Sequence, residues 1–126
     1  MKLRVFDTPL SVCKLRDAND IDFAHELTFV GITDREISLA CPTHAVPENT
    51  LAREDGWRAF RIEGQLDFSL IGILARISNV LADAGVGLFA VSTYDTDYIL
   101  VKAENLERGL AALAASGYEI AGEQAK

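Results

Sequence analysis

A polar run separates two apolar stretches in the second half of the chain. Ser92-Thr-Tyr-Asp-Thr-Asp97 lies between the apolar segments 86–91 and 98–102. Two apolar strands do not need such a polar junction, so the run is a candidate binding site. Asp97 could take an ammonium group, while Ser92 and Thr93 would add neutral hydrogen bonds. A simpler interpretation stays open, in which Asp95 forms an Asx-type turn that the hydroxyls decorate.

A helix is predicted over residues 70–84, and its start would bind an anion, the opposite charge to the ammonium group at Asp97. Its first turn presents backbone N–H groups and a partial positive charge, which bind anions such as a carboxylate. Asp67 or Ser69 is a candidate cap for this helix. Gly72 lacks a Cβ and lets a ligand or another backbone approach closely. A site with one anion-binding end and one cation-binding end suits a zwitterionic amino acid.

Signatures of catalysis are scarce. The plausible acid–base groups are His25, His44 and the pair Asp95 and Asp97, and we do not expect their positions to converge. Neither histidine has a partner at the spacing of a strong metal motif, and no nucleophile accompanies a base. The sequence therefore predicts a protein that is not an enzyme, with no catalytic residue, no metal and no cofactor. A small enzyme is kept as the least favoured alternative.

Composition excludes several classes of partner. The 126 residues carry a formal net charge of -7, and an acidic chain repels nucleic acid and anionic membrane surfaces. No apolar run approaches the roughly 20 residues that cross a bilayer. Cys13 and Cys41 each lie in an apolar stretch, which predicts small core residues in a reducing compartment. We expect a soluble, cytoplasmic protein that binds neither nucleic acid nor membrane.

The elements that must hold the polar run follow a recognisable order. Alternating residues predict a strand over 57–62, and three- and four-residue apolar steps predict the helix over 70–84. Strands over 86–91 and 98–102, a helix over 104–116 and a strand over 118–120 complete the order βαββαβ. This order is that of a ferredoxin-like split βαβ unit.

The first half is a weaker copy of the same order. Strands are predicted over 10–15, 27–33 and 36–41, with short helices within 17–26 and near Pro47. The expected fold is α+β, with two tandem ferredoxin-like βαββαβ units, antiparallel sheets and a degenerate first unit. We place the first unit at 1–56 and the second at 57–126, with the strand at Trp57 in both sheets or at their seam.

Three stretches of the sequence resemble an ACT domain, the small-molecule regulatory module of amino-acid metabolism. Leu66-Asp-Phe-Ser-Leu-Ile-Gly-Ile-Leu-Ala75 resembles the ACT loop-to-helix motif, although it lacks the usual Pro-Gly step. The run from Ser92 to Val101 resembles the paired-ACT subgroup of small bacterial proteins, aspartate kinase regulatory domains and the cytosolic arginine sensors of animal cells. Phe29-Val-Gly-Ile-Thr-Asp-Arg-Glu-Ile-Ser-Leu39 resembles the first unit of that subgroup.

The resemblance implies a non-catalytic regulatory or sensor protein that holds an amino acid between ACT units. Matched by position, one side of the ligand would be faced by Asp67, Phe68, Leu70, Ile71 and Gly72. The other side would be lined by Ser92, Thr93, Tyr94 and Asp97.

We also expect the chain to assemble, because exposed sheet edges tend to pair with other strands and two small cores give only marginal stability on their own. We predict a homodimer, joined through sheet edges or through helix faces. The alternative function is a ligand-free dimerisation or interaction module that docks on an enzyme or regulator of amino-acid metabolism.

Overall fold

The computed structural model describes residues 1–63 and 72–122, which fall into two compact units. The inserted unit is Thr8–Trp57, and the split unit combines Met1–Asp7 with the chain from Arg58 onward. This division differs from the predicted ranges 1–56 and 57–126 at the amino terminus, because the first strand pairs with strands of the C-terminal part.

The described residues form eight strands and two α-helices, which we number in chain order. The strands are β1 (Lys2–Val5), β2 (Leu10–Leu15), β3 (Phe29–Ile32), β4 (Ile37–Pro42), β5 (Thr50–Ile62), β6 (Phe89–Ser92), β7 (Asp97–Lys102) and β8 (Glu119–Ala121). The helices are α1 (Ile73–Asp83) and α2 (Leu106–Ala115), and short 3₁₀ helices span Thr43–Ala45 and Ala103–Asn105. None of the helices in the described residues is long and apolar enough to cross a membrane.

Both units have the strand order of a ferredoxin-like sheet. The inserted unit has the order β3-β4-β2-β5, with every pair antiparallel. The split unit has the order β6-β7-β5-β1-β8, in which β1 lies between the first and last strands of the βαββαβ unit. β1 is antiparallel to β5 and parallel to β8. The predicted α+β fold with two ferredoxin-like units, the first degenerate, is confirmed.

The two helices of the split unit follow from their apolar spacing. Ile73, Ile77 and Leu81 recur every four residues and face the core from α1. Gly85, with φ of 76°, takes the left-handed conformation that ends α1, as its position after the periodic residues predicts. Gly109 allows α2 to approach closely, since an added Cβ would lie 3.1 Å from the Leu81 Cδ2 atom. The core of this unit is formed by Leu3, Val5, Phe60, Ile62, Ile73, Ile77, Leu81, Val86, Ile99, Val101, Leu106 and Leu113.

The inserted unit has no α-helix, so the predictions of short helices within 17–26 and near Pro47 are wrong. The carboxylates of Asp17 and Asp22 accept the backbone N–H groups of Asn19 and Ala24, and such local bonds compete with helix formation. The segment after β4 is the 3₁₀ helix Thr43–Ala45. The smaller core contains Cys13, Leu15, Ile21, Leu39 and Cys41, so the prediction of buried cysteines is confirmed.

The hairpins of the two units have the same register. Phe29 pairs with Ala40 in β3 and β4, and sixty residues later Phe89 pairs with Leu100 in β6 and β7. The turns match as well, because Thr33 donates its N–H to the Glu36 carbonyl at 3.0 Å and Thr93 donates to the Thr96 carbonyl at 2.8 Å. The inserted unit is therefore a copy of the same fold in which short segments replace both helices.

Candidate functional site

The polar run predicted from the sequence forms the turn of the β6–β7 hairpin. Ser92 and Asp97 are the closing pair of the hairpin, and the Ser92 hydroxyl donates to the Asp97 Oδ1 atom at 2.5 Å. Thr93 and Tyr94 lie in the turn itself, and Tyr94 is 82% exposed. The structure thus brings four of the predicted site residues together on one hairpin end.

The Asx-type alternative for this turn does not match its hydrogen bonds. The Thr93 hydroxyl donates to the Thr96 carbonyl at 3.0 Å, parallel to the backbone bond between the same two residues. Thr93, not Asp95, therefore closes the turn. Asp97 is half-buried, and a carboxylate can accept further hydrogen bonds besides the one that Ser92 donates.

A second hydroxyl joins this turn to the end of β5. Thr96 donates its side-chain hydroxyl to the Ile62 carbonyl at 2.7 Å. Ile62 is the last residue of β5, so the turn lies beside the point where the chain leaves that strand for α1. Asp67, Phe68, Leu70 and Ile71, predicted to face a ligand from that connection, lie outside the described residues.

Gly72 is the one predicted residue of that connection within the described residues. It is the N-cap of α1, with φ of 83°, a left-handed conformation that favours glycine. An added Cβ would meet no atom of residues 1–63 and 72–122 within 4 Å. The first turn of α1 holds no acidic residue. No side chain of that turn therefore compensates the partial positive charge that the helix dipole places there.

An arginine–glutamate network, which sequence analysis missed, flanks the same region. Glu63, the residue after β5, pairs with Arg4 and accepts from Arg61 Nε at 3.0 Å. The Arg61 Nη1 atom donates to the Tyr98 hydroxyl at 3.1 Å, and Tyr98 follows Asp97 directly. The guanidinium of Arg61 lies 5.1 Å from the centre of the Phe6 ring and 5.9 Å from that of Tyr98.

This network fixes the residues that adjoin the candidate site on both strands. Hydrogen bonding from Arg4 is the main cause that lowers the pKa of Glu63, with a further contribution from Arg61. The arginines alternate with apolar residues in β1 and β5, which indicates strands, but no sequence signal shows that Arg4 and Arg61 share one carboxylate.

The equivalent turn of the inserted unit has lost the polar pair. The register places Ile32 and Ile37 where the split unit has Ser92 and Asp97. The turn geometry is retained, since the Thr33 hydroxyl donates to the Glu36 carbonyl at 3.2 Å. Only the split unit therefore has a carboxylate at this position of the hairpin.

The two histidines lie together in the inserted unit, so the expectation that they do not converge is wrong for this pair. The rings of His25 and His44 meet edge to face with centres 4.9 Å apart, and His25 Nε2 lies 3.0 Å from Asp22 Oδ2. The backbone N–H of Ala24, more than either imidazole, lowers the pKa of Asp22. Within residues 1–63 and 72–122, no three His, Cys, Asp or Glu side chains are grouped so as to hold a metal ion.

Comparison with known proteins identifies the family. The family model described as ACT domain matches residues 52–115, about half of the chain. The chain belongs to the ACT domain family. The match runs from near the start of β5 to the end of α2 and includes the turn from Ser92 to Asp97. ACT domains are regulatory modules that generally bind amino acids.

Solved structures similar to this ACT protein extend over both units. Protein Atu0741 from Agrobacterium tumefaciens is 28% identical, with a TM-score of 0.87 over 97% of this chain and 92% of that one. The ligand-free regulatory subunit of aspartate kinase from Thermus thermophilus is 13% identical, with a TM-score of 0.60 over 91% and 94% of the two chains.

A third similar structure is a putative C-terminal regulatory domain of aspartate kinase from Porphyromonas gingivalis. It is 19% identical, with a TM-score of 0.56, and the match covers 90% of this chain and 92% of that one. At such identities the two aspartate kinase structures show only that this ACT protein has the same fold.

Proposed function

We propose that this ACT protein is a non-catalytic amino-acid sensor that acts in the cytoplasm as a homodimer. The ligand would be a free amino acid held between ACT units, with its ammonium group on Asp97. Its carboxylate would lie at the start of α1 beside Gly72. The observation that carries the proposal is the carboxylate of Asp97, bound to Ser92 at a turn that a second hydroxyl joins to the end of β5.

The charges at the two ends of the site support a zwitterion. An ammonium group can donate charge-assisted hydrogen bonds to Asp97, while a carboxylate is stabilised by the N–H groups and the partial positive charge of a helix start. The exposed ring of Tyr94 offers an apolar surface to the ligand side chain. The roles of Asp67, Phe68, Leu70, Ile71, Ser92 and Thr93 in ligand contact are part of this proposal.

The test is a thermal-shift screen of the twenty amino acids against the wild-type protein and Asp97→Asn. A ligand at about 100 times its Kd stabilises the folded state by roughly 2.7 kcal/mol, which corresponds to a rise of about 10 °C in Tm. Asparagine keeps an acceptor for Ser92 but removes the charge, so we expect Asp97→Asn to fold and to lose the shift.

Asp95→Asn is the control, because it removes the same charge two residues away in the same turn. We expect it to keep the ligand-induced shift. Equal loss in both variants would show a general effect of charge and would contradict a contact at Asp97. If no amino acid shifts the wild-type protein, the sensor proposal fails, and the ligand-free interaction module becomes the better description. That module would retain an enzyme of amino-acid metabolism without any small molecule.

A further inference from the structure

Asp97 lies between two residues whose hydroxyl groups contact the end of β5. The Thr96 hydroxyl donates to the Ile62 carbonyl at 2.7 Å. The Tyr98 hydroxyl accepts from the Arg61 Nη1 atom at 3.1 Å, and residues 96–98 are all half-buried. Because residues 61 and 62 are the last two of β5, the chain on both sides of Asp97 is joined to one short segment of the neighbouring strand.

Each of these two contacts is held in place by further hydrogen bonds. The Thr96 carbonyl accepts the N–H of Thr93 at 2.8 Å and its hydroxyl at 3.0 Å, so Thr96 connects the closed turn to β5. Arg61 donates from Nε to the Glu63 carboxylate at 3.0 Å, which restrains the guanidinium that contacts the next strand. The position of Asp97 therefore depends on the sheet as well as on its own turn.

The hairpin of the inserted unit forms the same turn with different residues at these positions. The shared register makes three successive residues correspond to Thr96, Asp97 and Tyr98, namely Glu36, Ile37 and Ser38. A carboxylate cannot donate as the threonine hydroxyl does, and the Ser38 hydroxyl donates to Glu36 Oε1 within the hairpin itself at 3.0 Å. The turn therefore folds without a threonine and a tyrosine there, and in the split unit these two residues accompany the carboxylate.

We infer that Thr96 and Tyr98 are positioning residues of the amino-acid site, which hold Asp97 where the ammonium group of a ligand can reach it. The inference rests on the proposed function and adds to it the residues that set the affinity. Hydrogen bonds weaken steeply when donor and acceptor are misaligned, and ordering a mobile group on binding costs conformational entropy. A carboxylate that the sheet already holds in place avoids both losses.

The inference is tested by the dissociation constants of Thr96→Val and Tyr98→Phe, each of which removes one of the two hydroxyls. Each of the twenty amino acids is titrated into the full chain by calorimetry, well below the Tm, so that unfolded protein does not affect the result. Loss of one hydrogen bond that positions Asp97 should raise the dissociation constant by about fivefold in each variant. Thr96→Ser keeps the hydroxyl, so we expect it to bind as tightly as the wild-type protein.

Thr28→Val is the matched control, because the half-buried Thr28 donates its hydroxyl to the His25 carbonyl, also at 2.7 Å. This variant removes the same kind of bond in the inserted unit. Both valine variants should be less stable without an amino acid, since each loses one hydrogen bond. Only Thr96→Val should also bind more weakly, because a purely structural role would lower the Tm and leave the dissociation constant of the folded protein unchanged.

The outcomes separate this inference from the proposed function. If no amino acid binds the wild-type protein, both fail. If the wild-type protein binds one and either Thr96→Val or Tyr98→Phe binds it equally tightly, the inference alone is overturned. Equal weakening in Thr28→Val also overturns it, because the effect would then follow stability and not position. Circular dichroism establishes that each variant is folded, and Tyr98→Phe decides if Thr96→Val is not.

Discussion

Asp97 and Glu63 are two carboxylates of the split unit with different surroundings. Asp97 accepts one hydrogen bond from the Ser92 hydroxyl, whereas Glu63 lies between the guanidinium groups of Arg4 and Arg61. A carboxylate that is enclosed by two cations has its charge compensated by the protein itself. Asp97 has no ion-pair partner among the described residues, so an external ammonium group can pair with its carboxylate. At the scale of residues, Asp97 is therefore the binding candidate and Glu63 the structural one.

Glu63→Gln should lower the free energy of unfolding at neutral pH by about 1 kcal/mol, because two charge-assisted bonds become neutral ones at a partly exposed site. The pKa of Glu63 is lower in the folded than in the unfolded protein. Its stabilisation is thus complete above the unfolded-state pKa and disappears as the pH falls through the folded-state pKa.

Urea denaturation at several pH values measures this effect. The difference between wild type and Glu63→Gln should shrink as the solution is acidified below about pH 4. Glu119→Gln, an exposed substitution on β8, should show a much smaller difference at neutral pH. A difference for Glu63→Gln that is independent of pH would contradict the charge-based explanation.

At the scale of elements, α2 holds the end of α1 in place. Arg108 on α2 donates from Nε to the Ala84 carbonyl at 2.9 Å and from Nη2 to the Gly85 carbonyl at 3.2 Å. Ala84 is the C-cap of α1, so these bonds satisfy carbonyl groups that the helix leaves without intrahelical partners. The positive charge also stabilises the negative end of the helix dipole.

Arg108→Ala should therefore destabilise the protein by about 1 kcal/mol, through the loss of C-terminal hydrogen bonds and of the charge at the helix end. Thermal denaturation followed at 222 nm measures the change. Arg76→Ala, which removes an exposed arginine near the start of α1, is the comparison and should have less than half the effect. Equal effects would indicate that net charge, and not the contact with the end of α1, is responsible.

At the scale of the whole molecule, the two units differ in the size of their cores. Both described α-helices and the larger apolar cluster belong to the split unit, whereas the inserted unit buries a smaller cluster that includes Cys13 and Cys41. Burial raises the pKa of the Cys41 thiol to about 11, so this thiol stays protonated and unreactive while the inserted unit is folded.

This distribution predicts that the inserted unit opens at lower denaturant than the split unit, because it buries less apolar surface. Both cysteines of the chain lie in the inserted unit, so thiol labelling reports its opening, while ellipticity at 222 nm reports the helices of the split unit. We expect the midpoint of labelling in urea to precede the midpoint of ellipticity. Coincident midpoints would mean that the two units unfold as one.

The sequence by itself determined the features that depend on neighbouring residues. The predicted range of β2 equals its observed range, the polar junction forms a turn between two strands, and Gly85 ends α1. Alternation, helical periodicity and glycine at a left-handed position are local patterns, because they depend only on residues that are close together in the chain. For the same reason, the order βαββαβ and the resemblance to ACT domains could be predicted.

Only the tertiary structure decided which distant segments meet. β1 was not predicted to lie between β5 and β8, Arg4 was not predicted to reach Glu63, and His25 was not predicted to touch His44. Each of these contacts joins residues far apart in the chain. Strand pairing and shared ion pairs depend on which surfaces remain available after the other elements have packed. Neither the periodicity nor the spacing of residues in the sequence shows which surfaces those are.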